Sequence, residues 1–196
     1  MVLPKAELTD GMLEWADIVI CGTNKSRKDL NQIIRKTKGF EKEIEEGEKV
    51  ICLKNNWDIF GDNESPLING SIGYVKNIEE KTLHNLKSLG GDFPIYNFNF
   101  ITEVDENFNH LSVDKQMFLT EVPFVDNKVK YWMKKAHVYI PEDFTYGYCI
   151  TCHKAQGSQW DKVLIYEESF PFDREEHKRW LYTAATRAAE KLVIVH

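Results

Sequence analysis

The residues best suited to chemistry lie in two short segments late in the chain. Thr151-Cys152-His153-Lys154-Ala155-Gln156-Gly157-Ser158-Gln159-Trp160 gathers hydrogen-bonding side chains at Thr151, His153, Lys154, Gln156 and Ser158 around one glycine. A glycine in such company lets a backbone approach phosphate oxygens. The segment follows Tyr146-Gly147-Tyr148-Cys149-Ile150, so it reads as a strand handing over to a helix near His153. That places it at the carboxyl edge of a sheet, where open α/β sheets bind ligands. The second segment, Leu181-Tyr182-Thr183-Ala184-Ala185-Thr186-Arg187-Ala188, reads as a helix of small residues carrying one arginine. A guanidinium is a fixed fork that suits phosphate oxygens. The plainer alternative is a surface arginine paired with an acid such as Glu190.

Two other chemistries are suggested by the cysteines. Cys149-Ile150-Thr151-Cys152-His153 spells the C-x-x-C-H spacing of c-type haem attachment. Haem attachment needs export, and the opening MVLPKAELTDGML lacks a charged-then-apolar leader. A zinc site wants two further ligands, and Cys21 and Cys52 form no second close pair. The expectation is no haem, no zinc, and four cytosolic thiols that serve as small buried hydrophobes. No run approaches the ~18 apolar residues of a membrane span, so the expected location is cytoplasmic, away from any membrane.

The elements that must position these segments follow from the apolar pattern. Asp17 to Cys21 reads as a buried parallel strand ending at Gly22. Thr23 or Asn24 can cap the next helix, in which Leu30, Ile33 and Ile34 recur until Gly39 stops it. From Gly47 the texture turns to β: Lys49 to Leu53, an Asn69-Gly70 hairpin turn, Ser71 to Val75, Phe93 to Ile101, Gln116 to Val122 and Ala136 to Ile140. The α/β texture then returns, with apolar runs at Val163–Tyr166 and Leu192–Val195 around a helix over Arg174–Arg187. Trp180, Leu181, Ala184 and Ala188 are available for one face of that helix. The alternation implies a mostly parallel sheet flanked by helices, interrupted by an all-β insertion.

The net charge of -6 argues against a protein that simply coats DNA. The charge is nonetheless uneven. Lys25, Arg27, Lys28, Arg35, Lys36 and Lys38 face only Asp29, and a second basic, aromatic-laced stretch runs from Lys128 to Lys135. Such strips suit either a nucleic-acid groove or a solvated helix face.

TCHKAQGSQWDKV resembles motif V of the superfamily 1 DNA helicases of the UvrD, RecD and Dda kind, and LYTAATRAAEKLVIV resembles their motif VI. CGTNKSRKDLNQIIR looks like the segment that opens their second motor domain. GEKVICLKNNW followed by PLINGSIGYV looks like the entry to the small β-barrel insert of the RecD and Dda branch. The four blocks stand in the family's order and cover nearly the whole chain. The resemblance implies an α/β fold: a RecA-like (P-loop NTPase type) second motor domain with a parallel sheet over 1–46 and 141–196. An inserted small all-β domain, an SH3-like barrel, is implied over 47–140.

The resemblance also implies roles. Arg187 matches the arginine finger that stabilises charge on the γ-phosphate of ATP. Gly157 and Gln156 match residues near the nucleotide, and Gln159 stands where many relatives have a Glu that contacts the ribose. Thr151 and His153 match residues lying against single-stranded DNA, and Thr23 and Asn24 match further backbone contacts. Asn55 and Asn56 are either strand contacts or turn formers. The sequence holds no G-x-x-x-x-G-K-S/T, and Asp105-Glu106 sits in a polar β context unlike a Mg²⁺-binding strand. The expectation is that ATP and Mg²⁺ are completed by an N-terminal RecA-like domain outside this chain, which alone neither hydrolyses ATP nor unwinds DNA. The branch implies 5′-to-3′ travel. A non-enzymatic single-strand-binding module and an ATPase-docking module are the competing readings.

Overall fold

The computed structural model describes residues 1–84, 92–123, 127–135, 140–169 and 173–196, and the side chains of 127, 129 and 132 lie outside the description. The chain divides into two compact units, Met1–Glu41 with Gly147–His196, and Lys42–Tyr146.

The first unit is built on five strands: β1 (Val2–Leu3), β2 (Ile18–Cys21), β10 (Cys149–Thr151), β11 (Trp160–Tyr166) and β12 (Ala188–Val195). They form one sheet in the order β1-β12-β11-β2-β10, and every neighbouring pair is parallel. All four residues of β2 are buried, as a run of Ile, Val, Ile and Cys in an interior strand of a covered sheet demands. This is the parallel α/β architecture that the alternation implies. The helices are α1 (Asp10–Trp15), α2 (Asn24–Thr37), α5 (Cys152–Ala155) and α6 (Arg174–Ala185). Helix α2 starts where Thr23 caps it, its side chain accepting from the Ser26 amide at 3.2 Å. Leu30, Asn31, Ile34 and Arg35 form its buried face. Arg35, at 5% exposure, therefore leaves the solvated basic strip to which its charge assigned it, and Ile33 is exposed. Helix α6 is capped by Asp173 and buries Trp180 and Ala184, while Ala188 already belongs to β12. The chain's opening strand and α1, capped by Thr9, have sequences too short and polar to show a period.

The second unit contains β3 (Lys49–Cys52), β4 (Asn56–Phe60), β5 (Pro66–Leu67), β6 (Ile72–Leu83), β7 (Phe93–Thr102), β8 (Asn107–Asp114) and β9 (Phe144–Tyr146), with helices α3 (Lys115–Thr120) and α4 (Asn127–Lys135). Five of these strands make an antiparallel sheet in the order β8-β7-β6-β3-β9, and β4 pairs with β5 separately. Phe98, Phe100, Phe108 and Phe144 fill its core, with the Phe98 and Phe100 rings edge-on to Phe144. A single parallel bridge, Val113 with Glu142, links edge strand β8 to the segment entering β9.

Two expectations change here. Gln116 to Val122 is largely helical, because Asp114 accepts from the Gln116 amide at 2.9 Å and caps a turn that buries Met117 and Phe118. The Asn69-Gly70 turn forms, its Ser71 amide reaching the Ile68 carbonyl at 3.2 Å, but it joins β5 to β6, which lie in different sheets. Turn chemistry is local, whereas pairing follows the apolar faces. The Lys128–Lys135 stretch lies within α4, where Met133 is buried and Lys130 is committed to Asp143 at 3.2 Å. The strand expected over 136–140 falls almost wholly outside the described residues.

Candidate functional site

In the first unit the sequence-chosen residues collect at two opposite edges of the parallel sheet. Strands β2 and β10 are neighbours with Thr151 in register with Cys21. The residues that follow them, Thr23 and Asn24 after one and His153 after the other, therefore share the carboxyl edge with Thr151. Arg187 and Gln159 immediately precede the paired residues Ala188 and Trp160 that begin β12 and β11, so they belong to the amino edge. The segment from Thr151 to Gln159 thus does not sit at one edge, as its strand-to-helix pattern suggested. It starts at the carboxyl edge and, after the single turn of α5, descends to the other. A parallel strand can only be entered from its amino end, so the chain must make that return.

At the amino edge Arg187 is held from three sides. Its Nε donates to the Thr183 carbonyl at 3.1 Å, Nη1 to the Ser158 carbonyl at 3.2 Å, and Nη2 to the Thr186 hydroxyl at 3.1 Å. The Trp160 amide donates to the Arg187 carbonyl at 3.0 Å. The positive group lies against the carbonyl end of α6, where a helix dipole favours a cation. No carboxylate, Glu190 included, forms an ion pair with it among the described residues. A guanidinium has five N–H donors; these contacts use three, and the group is half-buried rather than sealed. Gly157 turns at φ +90° beside it, in open space. A left-handed backbone, and not crowding, is what requires glycine there. Gln156 and Gln159 are exposed on either side, with side chains free of protein partners among the described residues. A fork with spare donors beside an open turn fits an anionic phosphate group.

At the carboxyl edge the side chains differ in readiness. Thr151 caps no amide, and neither it nor the exposed His153 has a side-chain hydrogen bond among the described residues. Asn24 accepts from Arg27 Nε at 3.2 Å. Thr23 is fully engaged, and its partner is a residue the sequence reading missed. Glu168, just beyond the end of β11, accepts from the Gly22 amide at 2.8 Å, the Thr23 amide at 3.0 Å, the Thr23 hydroxyl at 2.9 Å and the Ser26 hydroxyl at 2.5 Å. Burial alone would raise its carboxyl pKa, but these donors outweigh burial and lower it. The signal available in the sequence was its place: an acid at the carboxyl end of an apolar strand run.

Asn31 is the second residue missed. At 1% exposure it donates to the Cys149 carbonyl at 2.8 Å and accepts from the Tyr148 and Cys149 amides at 3.1 and 2.9 Å. It supplies the start of edge strand β10 with the partners that a further strand would give. Beneath this edge Cys149 and Cys21 lie with sulfurs 3.6 Å apart. Burial, then Cys21, pushes the Cys149 thiol well up, and burial pushes Cys152 up against the opposing pull of Arg187. Protonated, buried thiols are poor nucleophiles. Among the described residues no group of three or more His, Cys, Asp or Glu side chains could hold a metal ion.

Asn55 and Asn56 lie in the second unit, and both side chains are hydrogen-bonded within it. Asn55 accepts from the Asn69 amide at 2.8 Å, and Asn56 donates to Glu142 at 2.7 Å while accepting from the Asp58 amide at 2.9 Å. No helix among the described residues is long and apolar enough to cross a membrane.

Residues 146–195 match the model of the UvrD-like helicase C-terminal domain. That stretch contains both Arg187 and the Gly157 turn. In fold, 95% of the chain aligns with 42% of a Pif1 helicase from work on unwinding of forked double-stranded DNA by two coordinating Pif1 helicases (TM-score 0.52, 15% identity). Bacteroides Pif1 bound to single-stranded DNA aligns over 97% of this chain and 46% of its own (TM-score 0.51, 15% identity). Bacteroides Pif1 with ADP-AlF3 and single-stranded DNA aligns over 96% and 46% (TM-score 0.50, 16% identity). At these identities the likeness is one of fold, and the chain spans less than half the length of each of these proteins. No curated protein matches the chain in sequence.

Proposed function

We propose that this chain is the C-terminal motor half of an ATP-dependent DNA helicase, in which the first unit is a RecA-like lobe and the second an inserted small barrel. The observation that carries the reading is the bond between Arg187 and Ser158 beside Gly157, inside the stretch that matches a helicase domain model. The barrel assignment draws support from two bonds that join edge strand β8 to the segment entering the other edge strand, β9: Asp114 amide to Glu142 carbonyl at 3.0 Å and Glu142 amide to Ser112 carbonyl at 2.8 Å.

In this proposal Arg187 presents its two spare N–H groups to the outermost phosphate of a nucleotide, with Gln156, Gly157 and Gln159 beside it. ATP, when bound with Mg²⁺, supplies the phosphoanhydride; the phosphate loop and the Mg²⁺-binding acids come from another lobe. The role of Arg187 is to hold charge in place, because a fixed donor needs no reorganisation as charge develops. Thr151, His153, Asn24 and Thr23 at the opposite edge follow a single strand of DNA. Strand β11 and the segment from Thr151 to Gln159 both run from one edge to the other, so a shift at either edge has a short covalent route to its counterpart.

The test is Arg187→Ala in a protein that joins this chain to a phosphate-loop lobe. ATP turnover should fall by about 10³- to 10⁵-fold, with single-strand affinity little changed. A non-enzymatic strand-binding module uses the carboxyl edge alone, and in that case no such lobe confers turnover. Unchanged turnover in the variant removes Arg187 from its role.

A further inference from the structure

Resting on the reading of the carboxyl edge as a strand track, we propose that Glu168 is a latch on that track: its carboxylate occupies Thr23 and keeps the DNA backbone from it. Thr23 has one amide and one hydroxyl to offer. Both donate to Glu168, at 3.0 and 2.9 Å, and the hydroxyl oxygen also accepts from the Ser26 amide at 3.2 Å. Nothing remains for a phosphate oxygen. A phosphate approaching this turn would also meet a like charge held in place by four donors.

The neighbouring strand shows the contrast. Thr151, level with Cys21 in the adjacent strand, has a hydroxyl without a partner among the described residues, and so has the exposed His153 a ring. One half of the edge is ready and the other half is shut. Opening it requires the Glu168 side chain to swing out and a phosphate oxygen to take over its donors. Glu168 is half-buried and followed by the exposed Ser169, so its side chain borders solvent into which it can swing.

The latch also has a lever. Glu167, its immediate neighbour, receives the His177 ring at 2.8 Å, and His177 lies in the first turns of α6. Consecutive residues of one strand end thus fasten α2 on one side and α6 on the other. Arg187 lies two residues beyond the end of α6, so displacement of Glu168 by a strand is felt by the helix that positions Arg187.

The experiment compares the chain with Glu168→Gln and with Glu168→Gln/Thr23→Val, using a fluorescent oligothymidylate and amide spectra of ¹⁵N-labelled protein. Glu168→Gln should bind the oligomer roughly tenfold more tightly, a charge-assisted hydrogen bond's worth. Its log–log salt slope should steepen by about 0.7, one phosphate on a single strand. Thr23→Val should cancel the gain. In the unaltered chain, saturation with oligomer should shift the Gly22 and Thr23 amides, a measurement that needs no variant. Equal or weaker binding by Glu168→Gln, or bound oligomer without those shifts, overturns the latch. If no form binds the oligomer, the strand reading fails by itself, and inorganic phosphate decides the latch. Shifts of Gly22 and Thr23 with phosphate in Glu168→Gln but not in the unaltered chain support it, and no shift in either overturns it.

Discussion

Arg187 donates from Nη1 to the Ser158 carbonyl at 3.2 Å, across 29 positions of sequence. This bond fastens the end of α6 to the turn built on Gly157 and brings the two segments richest in chemistry to a common rim. The other two bonds of Arg187 go to Thr183 and Thr186, so the guanidinium also closes the carbonyl end of its own helix.

Arg187→Ala should therefore cost stability as well as any catalytic role. Three hydrogen bonds to neutral oxygens in a half-buried setting put the loss at about 1–2 kcal/mol. Arg187→Lys should recover little of it, because an ammonium cannot span three acceptors fixed by a planar fork. Urea unfolding checks both variants, and a midpoint unmoved in Arg187→Ala would mean the fork is not engaged as described.

Asn31→Ala removes the side chain that, alone among the described residues, serves the Cys149 carbonyl and the Tyr148 and Cys149 amides together. Three buried backbone groups lose partners at a sheet edge, with an expected loss of roughly 2–4 kcal/mol. Amide exchange at Cys149 should quicken with it. Protection that persists in the variant would show that another group covers the strand.

Glu168 sets an acid-side dependence. Its folded pKa lies below the ordinary 4.5, so its contribution to stability is fully present above 4.5 and is lost as pH falls through the lowered value. Glu168→Gln cannot lose a charge it does not carry. Its stability should accordingly change less with pH on the acid side than that of the unaltered chain, and parallel acid limbs would contradict the four-donor arrangement.

Two glycines should behave differently when replaced by alanine. A Cβ at Gly73 would sit 2.1 Å from the Ile101 carbonyl oxygen and 2.6 Å from the Thr102 Cα, so β6 and β7 must part. The loss should be on the order of 3 kcal/mol. Gly157→Ala meets open space and carries only left-handed backbone strain, about 1 kcal/mol. Thermal unfolding of the two variants orders them, and the reverse order would refute the local geometry.

What the sequence disclosed follows from how local each signal is. Ile18 to Cys21 and Val163 to Tyr166 announce themselves because a covered parallel strand needs an unbroken apolar run, and a helix cap at Thr23 or Asn24, which Thr23 supplies, because capping needs only three consecutive neighbours. Gln116 to Val122 could not be told from strand, since the decisive group was the side chain of Asp114, just ahead of it. The Asn69-Gly70 turn showed its own geometry and nothing about which strands would pair. Glu168 and Asn31 were invisible as partners because their bonds join residues more than 100 positions apart. The assignment of the Thr151–Trp160 segment to a single edge failed for the same reason: the register of β11 against β12 decides it.

The most direct measurement is binding of a fluorescent oligothymidylate to the isolated chain, with amide shifts mapped at low and high salt. The account predicts salt-sensitive binding that shifts Thr151 and His153 and weakens roughly tenfold in Thr151→Val/His153→Ala, about one hydrogen bond to a charged group. No binding at low salt, or binding indifferent to both substitutions, would contradict it.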